Sequence, residues 1–390
     1  MVAPKLRFKE FDGDWTSKQL GKIIGISSAS RVFKEQWQDS GVPFFRTSDV
    51  VSIFKNKENE KAYISLELFE ELAKKSGKIK QGDLLVTGGG SIGIPYLVPN
   101  NQPLYFKDAD LLWMKSSGIV EGSFLYNFFI SPKFREYLKS ISHTGTISHF
   151  TIEQAKATPF GFPSKEEQTK IASFLSNVDE KISQLTQKHQ LLSQYKQGMM
   201  QKLFSQQIRF RADDGSEFGE WENSYIGNEC KITTGNKDTQ NKVDDGLYPF
   251  FVRSQTVEKI NSYSMDCEAI LTSGDGVGVG KNYHYMNGKF DFHQRVYCLY
   301  EFSERLIGRY LYIYFSNYFY DRVKRLSAKN SVDSVRMDMI SKMEIKLPCL
   351  EEQTKIANFL SAIDQKIEVV AQQIEQAKTW KTGLLQQMFV

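Results

Sequence analysis

The sequence predicts an α+β protein: two mixed α/β globules separated by two long antiparallel helices that form a coiled coil, a tandem repeat with approximate two-fold symmetry. Three observations predict it. One long stretch is written twice, both copies carry the same apolar spacing, and the segments that precede them share framework phrases. The stretch from Pro163 to Phe204 returns about 185 residues later as Pro348 to Phe389, without a gap and with roughly 19 of 42 positions identical.

Each copy reads as one uninterrupted helix. In the first, Ile171, Leu175, Val178, Ile182, Leu185, His189, Leu192, Lys196, Met199 and Leu203 recur at alternating steps of four and three. In the second, Ile356, Leu360, Ile363, Ile367, Val370, Ile374, Ala377, Lys381, Leu384 and Met388 do the same. Strict four-three spacing over several heptads is a coiled-coil seam, narrower than the stripe of a globular helix. No proline interrupts either run, and Ser164 with Glu167 predicts a capping box at the first start. The second start has Cys349 at the cap position, a poorer acceptor. About 40 residues at 1.5 Å each make a rod of roughly 60 Å. Lys196 and Lys381 fall on the seam, where long stems can snorkel outward.

The segments before each helix read as mixed α/β. Val42 to Phe45, Asp83 to Thr87, Tyr96 to Val98 and Leu111 to Met114 are strand-like, and a helical stretch runs from about Ser123 to Ser140. Leu6-Arg7-Phe8 with Trp15 returns as Ile208-Arg209-Phe210 with Trp221, and Pro43-Phe44-Phe45-Arg46-Thr47-Ser48 returns as Pro249-Phe250-Phe251-Val252-Arg253-Ser254. Asp83 to Gly88 returns as Glu268 to Gly274, and the Ser123 helix returns as the aromatic-rich Leu306 to Leu326. The predicted division is therefore a first globule over 1–162, a helix over 163–206, a second globule over 207–347 and a helix over 348–390. The helices match residue for residue and the globules only at framework points. That contrast points to one shared partner for the helices and a different ligand for each globule.

Composition sets bounds. At 390 residues the chain is too long for a single core. Its 41% hydrophobic and 13% aromatic content suits a folded chain and excludes a disordered one. No apolar run is long enough to span a membrane, and Met1 to Arg7 lacks the apolar core of a signal peptide, so a cytoplasmic protein is expected. Cys230, Cys267, Cys298 and Cys349 have no metal-ligand spacing and read as reduced thiols. A net charge of +4 permits nucleic-acid binding without indicating it.

Catalytic chemistry is hard to find. Gly88-Gly89-Gly90-Ser91-Ile92-Gly93 fits the dinucleotide pattern, but Pro95 to Pro99 follow as extended chain where that motif needs a helix. Gly278-Val279-Gly280-Lys281-Asn282 lacks the spacing and the hydroxyl of a phosphate loop. The glycines fit tight turns better, with backbone amides open to a ligand. No His or Cys pair has zinc spacing, and no metal site is expected.

Polar loops remain. The candidate DNA-contacting residues are Arg46, Thr47, Ser48, Lys55, Lys57, Ser91, Thr144, Thr146, Ser148 and His149 in the first globule. In the second they are Asn236, Lys237, Arg253, Ser254, Gln255, Lys281, Gln294, Arg295, Lys329, Asn330 and Ser331. Arg, Asn and Gln read base edges, while Lys, Ser and Thr hold phosphates. Singly, each loop also fits ordinary solvated surface; recurrence at equivalent places favours binding.

The order of variable globule, Pro-x-x-Glu-Glu-Gln-x-x-Ile-Ala helix, variable globule and second such helix resembles the specificity subunit of type I restriction-modification systems. The residues that carry the resemblance are Pro163 to Ala172 with Phe174, Leu175, Asp179, Lys181 and Ile182, and Pro348 to Ala357 with Phe359, Leu360, Asp364, Lys366 and Ile367. Gly82-Asp83-Leu84-Leu85 and Pro43-Phe44-Phe45 also look like that family.

The resemblance implies a non-catalytic chain. Each globule would be a target recognition domain reading half of a bipartite, asymmetric double-stranded DNA sequence. The helices would set the spacing and dock two methyltransferase subunits, with motor-nuclease subunits joining the complex. S-adenosylmethionine, ATP and magnesium would sit on those partners, with no cofactor on this chain. Glu166, Glu167, Gln168 and Lys170, with Glu351, Glu352, Gln353 and Lys355, are the candidate partner-binding residues, because they are identical in both copies and are expected on the outer helix face. Charge compensation at a helix N-terminus explains the glutamates equally well. Two other readings stay open. A scaffold for two protein clients needs only dissimilar globules, and a fused nuclease or methyltransferase needs acidic metal ligands or a cofactor loop.

Overall fold

A computed structural model describes residues 3–141, 149–276, 278–326 and 334–390. In chain order the elements before the first long helix are β1 (Thr16–Gln19), β2 (Gly25–Ser27), β3 (Val42–Phe45), α1 (Thr47–Phe54), β4 (Ala62–Ile64), α2 (Leu66–Ser76), β5 (Leu84–Thr87), β6 (Pro95–Leu97), β7 (Tyr105–Phe106), β8 (Leu111–Lys115), α3 (Gly122–Ile130), α4 (Pro132–Ser140), α5 (Ile152–Ala157) and β9 (Pro159–Phe162). The first long helix is α6 (Lys165–Phe204). It is followed by β10 (Glu222–Tyr225), α7 (Ile226–Glu229), β11 (Lys231–Thr234), β12 (Tyr248–Phe251), β13 (Glu258–Ile260), β14 (Met265–Ser273), β15 (Tyr283–Phe292), β16 (Val296–Tyr300), α8 (Gly308–Leu326), α9 (Met337–Ser341), β17 (Glu344–Leu347) and the second long helix, α10 (Leu350–Met388).

The chain forms two compact units, one of residues 1–188 and 370–390, the other of residues 189–369. Each unit thus takes the early part of one long helix and the late part of the other.

In the first unit, β1 and β9 make an antiparallel pair beside the start of α6. A four-stranded sheet has the order β2-β8-β5-β6, and a three-stranded sheet the order β4-β3-β7. The main core joins Leu84, Val86 and Leu112 of the sheet to Phe124, Phe128 and Phe129 of α3, to Ile171, Leu175 and Val178 of α6, and to Leu384, Leu385 and Met388 of α10 with Phe389 just beyond it. The helical stretch read as running from Ser123 to Ser140 is two helices. Pro132 cannot donate to the preceding turn, and Ser131 leaves the helical region to cap α4. Helices α1 and α2, with a satellite core around Phe44, Ile64, Phe69 and Leu72, are an elaboration that the sequence reading did not contain.

In the second unit, β10 and β17 repeat the β1–β9 pair. One six-stranded sheet, β11-β16-β14-β15-β12-β13, replaces the two sheets of the first unit. Its core packs Tyr310, Ile313 and Phe315 of α8 against Met200, Leu203 and Phe204 of α6 and Ile356, Leu360 and Ile363 of α10. Helix α8 has no internal proline and stays whole where its counterpart breaks.

The apolar seam residues are buried or half-buried, and those near the start of each long helix pack against globule and partner helix: Ile171, Leu175 and Val178 in the first unit and Ile356, Leu360 and Ile363 in the second. The late turns of one long helix lie on the early turns of the other, as an antiparallel pair requires. Lys381 and Lys196 do not snorkel freely. Lys381 is ion-paired with Asp179 at 2.6 Å in the first unit, and Lys196 with Asp364 at 2.6 Å in the second.

Candidate nucleic-acid interface

Both units anchor their helix with the same set of groups. Glu167 is buried and accepts from Arg7 Nε at 2.7 Å, Arg7 Nη2 at 2.7 Å and Trp15 Nε1 at 3.3 Å. Glu352 is buried in the same way under Arg209, at 3.1 and 2.7 Å, and Trp221 Nε1, at 2.9 Å. Each arginine also reaches a glycine carbonyl, Gly13 or Gly219. These hydrogen bonds hold the Arg7 and Arg209 guanidinium groups firmly charged, their pKa raised further.

The neighbouring glutamines complete the joint. Gln168 Nε2 donates to the carbonyls of Pro163 and Ile119 and its Oε1 accepts from the Glu121 amide. Gln353 does the same with Pro348, Arg305 and the Ile307 amide. Glu167, Gln168, Glu352 and Gln353 are therefore not on the outer face expected for them. They are the interior of the globule–helix joint, where an arginine and an indole N–H hydrogen-bond each carboxylate and backbone groups hold each glutamine. The predicted capping box is corrected for the same reason. Ser164 Oγ accepts from the Glu167 amide at 3.4 Å, but the Glu167 carboxylate is given to Arg7 and Trp15. Glu166, Lys170 and Glu351 stay exposed, and Lys355 is drawn to Asp213 at 2.6 Å.

Part of the candidate DNA-contacting set lies at the loop ends of the sheets. In the first unit Thr47 donates to the Asp110 carbonyl at 3.4 Å, and its methyl approaches Gly90 in the β5–β6 turn. Ser91 is exposed at that turn, and His149 bridges to Gly89 beside it. Gly90 and Gly93 hold positive φ of 69° and 71°, which a side chain would strain. Thr47, Ser91 and His149 therefore converge.

Arg46 is turned away from them. It donates to Asp49 at 2.9 Å and to the Glu60 carbonyl, and it lies 5.5 Å over the Trp37 ring. Asp49 raises its pKa. Ser48 accepts from Asn59, and Lys55 and Lys57 are exposed beyond the far end of α1. Thr144, Thr146, Ser148, Lys329, Asn330 and Ser331 lie outside the described residues.

In the second unit the candidates come together more fully. Arg253 Nη1 donates to Asp275 at 3.1 Å, and Arg295 Nε lies 3.7 Å from the other oxygen of the same carboxylate. Gln294 reaches Asp238 at 3.4 Å, and Lys237 stands 3.9 Å from the buried Asp291. Ser254 is held by Thr256 and by His284, and Gln255 and Asn236 are exposed. Lys281 lies 5.1 Å over the Tyr320 ring. Burial pushes the His284 and His293 imidazoles down, and the nearby Arg253 charge lowers His293 further. Neutral His293 then accepts from the Arg295 amide at Nδ1, 2.9 Å away.

Two acids at these edges, Asp110 and Asp275, carry no signal in the sequence pattern; Asp275 lies just before the phrase at 278–282 that lacks the spacing of a phosphate loop. Arg7 and Trp15 recur in the sequence as Arg209 and Trp221, and no local pattern links them to Glu167 and Glu352. Among the described residues no group of three or more His, Cys, Asp or Glu side chains could hold a metal ion, and no helix is long and apolar enough to cross a membrane.

Comparison with known proteins fits this layout. The family model described as type I restriction modification DNA specificity domain matches residues 12–194 and 219–379, most of the chain. A putative type I restriction enzyme specificity subunit of Methanocaldococcus jannaschii is 24% identical over 98% of this chain and 94% of its own. A putative specificity subunit of Haemophilus influenzae and the EcoDI specificity subunit of Escherichia coli are each 28% identical, and those matches cover 41% and 34% of the relatives' lengths. Among solved structures, the type I restriction-modification S subunit from M. genitalium aligns with a TM-score of 0.66 over 100% of this chain and 99% of that one, at 15% identity. A chain from a study of complex assembly and conformational transition in a type I system aligns with a TM-score of 0.57 over 96% of this chain and 97% of that one, at 16% identity. With its duplicated joint, its repeated helices and the match over both halves, the chain belongs to the type I restriction-modification DNA specificity family.

Proposed function

We propose that this chain is the non-catalytic specificity subunit of a type I restriction-modification complex in the cytoplasm. Each globule reads one half of a bipartite, asymmetric double-stranded DNA target. The long helices set the distance between the half-sites and dock two copies of one methyltransferase subunit, and motor-nuclease subunits join through that complex. S-adenosylmethionine, ATP and magnesium act on those partners.

The observation that carries this reading is a contrast between the two units. The joint repeats group for group, Arg7–Glu167–Trp15–Gln168 and Arg209–Glu352–Trp221–Gln353. The loop ends differ, with Gly89 and Asp110 in one unit where Asp275 and Arg295 stand in the other. A repeated frame suits two copies of one partner, and two different edges suit two different half-sites. The candidate DNA contacts are the exposed members of the loop clusters, Ser91 and His149 in one unit and Asn236, Arg253, Gln255, Gln294 and Arg295 in the other. Exposed Glu166, Lys170 and Glu351 remain the candidate partner-facing residues, with Lys355 at their edge.

The test is selection from random double-stranded DNA by the complex purified with its methyltransferase. A bipartite motif with an unread gap is expected. Equal binding of all sequences rejects the specificity reading, and copurification without any DNA binding favours a scaffold for protein clients.

A further inference from the structure

We infer that Arg253 and Arg295 each read a guanine in the half-site served by the second unit, and that Asp275 is the residue that positions them. This rests on the DNA-reading function proposed above and assigns the base class at one edge of one globule.

The backbones of both arginines are pinned. The Gly274 amide donates to the Arg295 carbonyl at 2.7 Å, and a Cβ on Gly274 would stand 2.9 Å from that oxygen, so the approach requires glycine. The Arg295 amide is held by His293, itself fixed by donation from its own amide to the Phe251 carbonyl at 2.9 Å. Asn282 Nδ2 donates to the Arg253 carbonyl and to Ser273 Oγ, both at 3.3 Å. The next turn passes Arg253 at Gly276, whose φ of +84° again suits glycine.

The side chains show the opposite character. Arg253 and Arg295 are 43% and 67% exposed and share one carboxylate, Asp275, itself 27% exposed. Exposed ion pairs add little to stability, so this pair of contacts is a poor candidate for holding the fold. What they do is restrict two long side chains. One carboxylate between two guanidinium groups leaves a net positive charge and leaves most of their N–H donors free. A guanidinium is a planar fork that matches O6 and N7 of guanine in the major groove. Fixing it before binding lowers the entropy lost on contact.

The first unit provides the internal contrast. The Gly88 amide donates to the Asp110 carbonyl at 2.8 Å, where Gly274 takes Arg295. Gly89 forms the isolated bridge made by Asp275 in the other unit, and Thr47 stands in the sequence phrase where Arg253 stands. Among the described residues the paired-arginine edge is confined to the second unit, so guanine reading of this kind belongs to one half-site.

The test uses the full chain copurified with its methyltransferase and selection from random double-stranded DNA, with variants R253K, R295K and D275N alongside R253A and R295A. The lysine variants keep the charge and lose the fork. They are expected to retain binding to non-specific DNA and to lose discrimination for guanine by roughly 10- to 100-fold at one position each, within a single half-site. D275N is expected to blur both positions, and the other half-site should stay unchanged throughout. If the wild-type complex selects a motif and both lysine variants select the same motif, the inference fails and the proposed function stands. Loss at a base other than guanine, or lower melting temperatures with an unchanged motif, also overturns it. A wild-type complex that selects no motif overturns the proposed function and this inference together.

Discussion

Glu167 and Glu352 show how much of the protein rests on single side chains. Each is a buried carboxylate held by one arginine and one tryptophan. Removing one partner strands a buried charge, which costs about 3–5 kcal/mol. Arg209→Met, which strands the buried Glu352, should therefore lower the unfolding free energy of the second unit by about that amount, whereas Glu351→Ala on the exposed face should shift it by about 0.5 kcal/mol or less. Hydrogen exchange resolved by segment distinguishes the two. Charge reversal at Glu166 and Glu351 is the matching test of partner docking: reduced copurification of the methyltransferase with unchanged melting is expected.

Glu229 gives a second prediction at this scale. Burial pushes its carboxyl up, but Arg305, Ser224 and Ser303 outweigh that and pull it down to about 2 from 4.5. A folded value below the unfolded one stabilises above about pH 4.5 and is lost as pH falls toward 2. The loss is at most about 3 kcal/mol, and less in practice because Arg305 is half exposed. Arg305→Met should flatten the acid branch of a urea-midpoint profile between those limits.

At this scale the sequence was half legible. Arg7 and Trp15 recur visibly as Arg209 and Trp221. Their partners lie well over a hundred residues away, and no local pattern reports a contact of that span.

The long helices were the most legible elements, because a seam at steps of four and three has few other meanings. Ile171, Leu175 and Val178, and Ile356, Leu360 and Ile363, are buried where the spacing puts them. Lys381 and Lys196 are the exceptions on the seam, and both find an aspartate on the facing helix. Asp179 is 47% exposed, so this pair is worth about 1 kcal/mol or less. A double-mutant cycle on Lys381 and Asp179 should return a coupling of that size that shrinks with salt, and exchanging the two residues should recover most of it.

Shorter elements were less legible. Thr47 and Ser48 looked like loop, yet Asp49 accepts from the Arg46 amide at 2.8 Å and starts α1 there. A cap that depends on one side-chain rotamer leaves little trace in periodicity. Pro132 was the visible mark of the break between α3 and α4, and aromatic density on both sides of it masked the break.

For the molecule as a whole, the proposed spacing role has a direct consequence. Four extra residues in a long helix add about 6 Å and slightly more than one further turn. An active variant of that kind should show a longer unread gap between half-sites in genome-wide methylation mapping, with the letters of each half-site unchanged. An unchanged gap rejects the spacing role.

The shared ownership of the long helices also governs how the chain is made. The core of the first unit contains Leu384, Leu385, Met388 and Phe389 beside Phe124 and Phe128. At roughly 5–20 residues per second, a ribosome that has finished Lys188 needs on the order of 10–40 s more before those side chains exist. For all of that time the nascent first globule carries an open phenylalanine-lined socket. The second unit has no comparable wait, since Met200, Leu203 and Phe204 are synthesised before the globule they enter. Birth order thus makes the two halves unequal, and the first-made half is the one exposed to aggregation and to chaperones until Leu384 to Phe389 have been made.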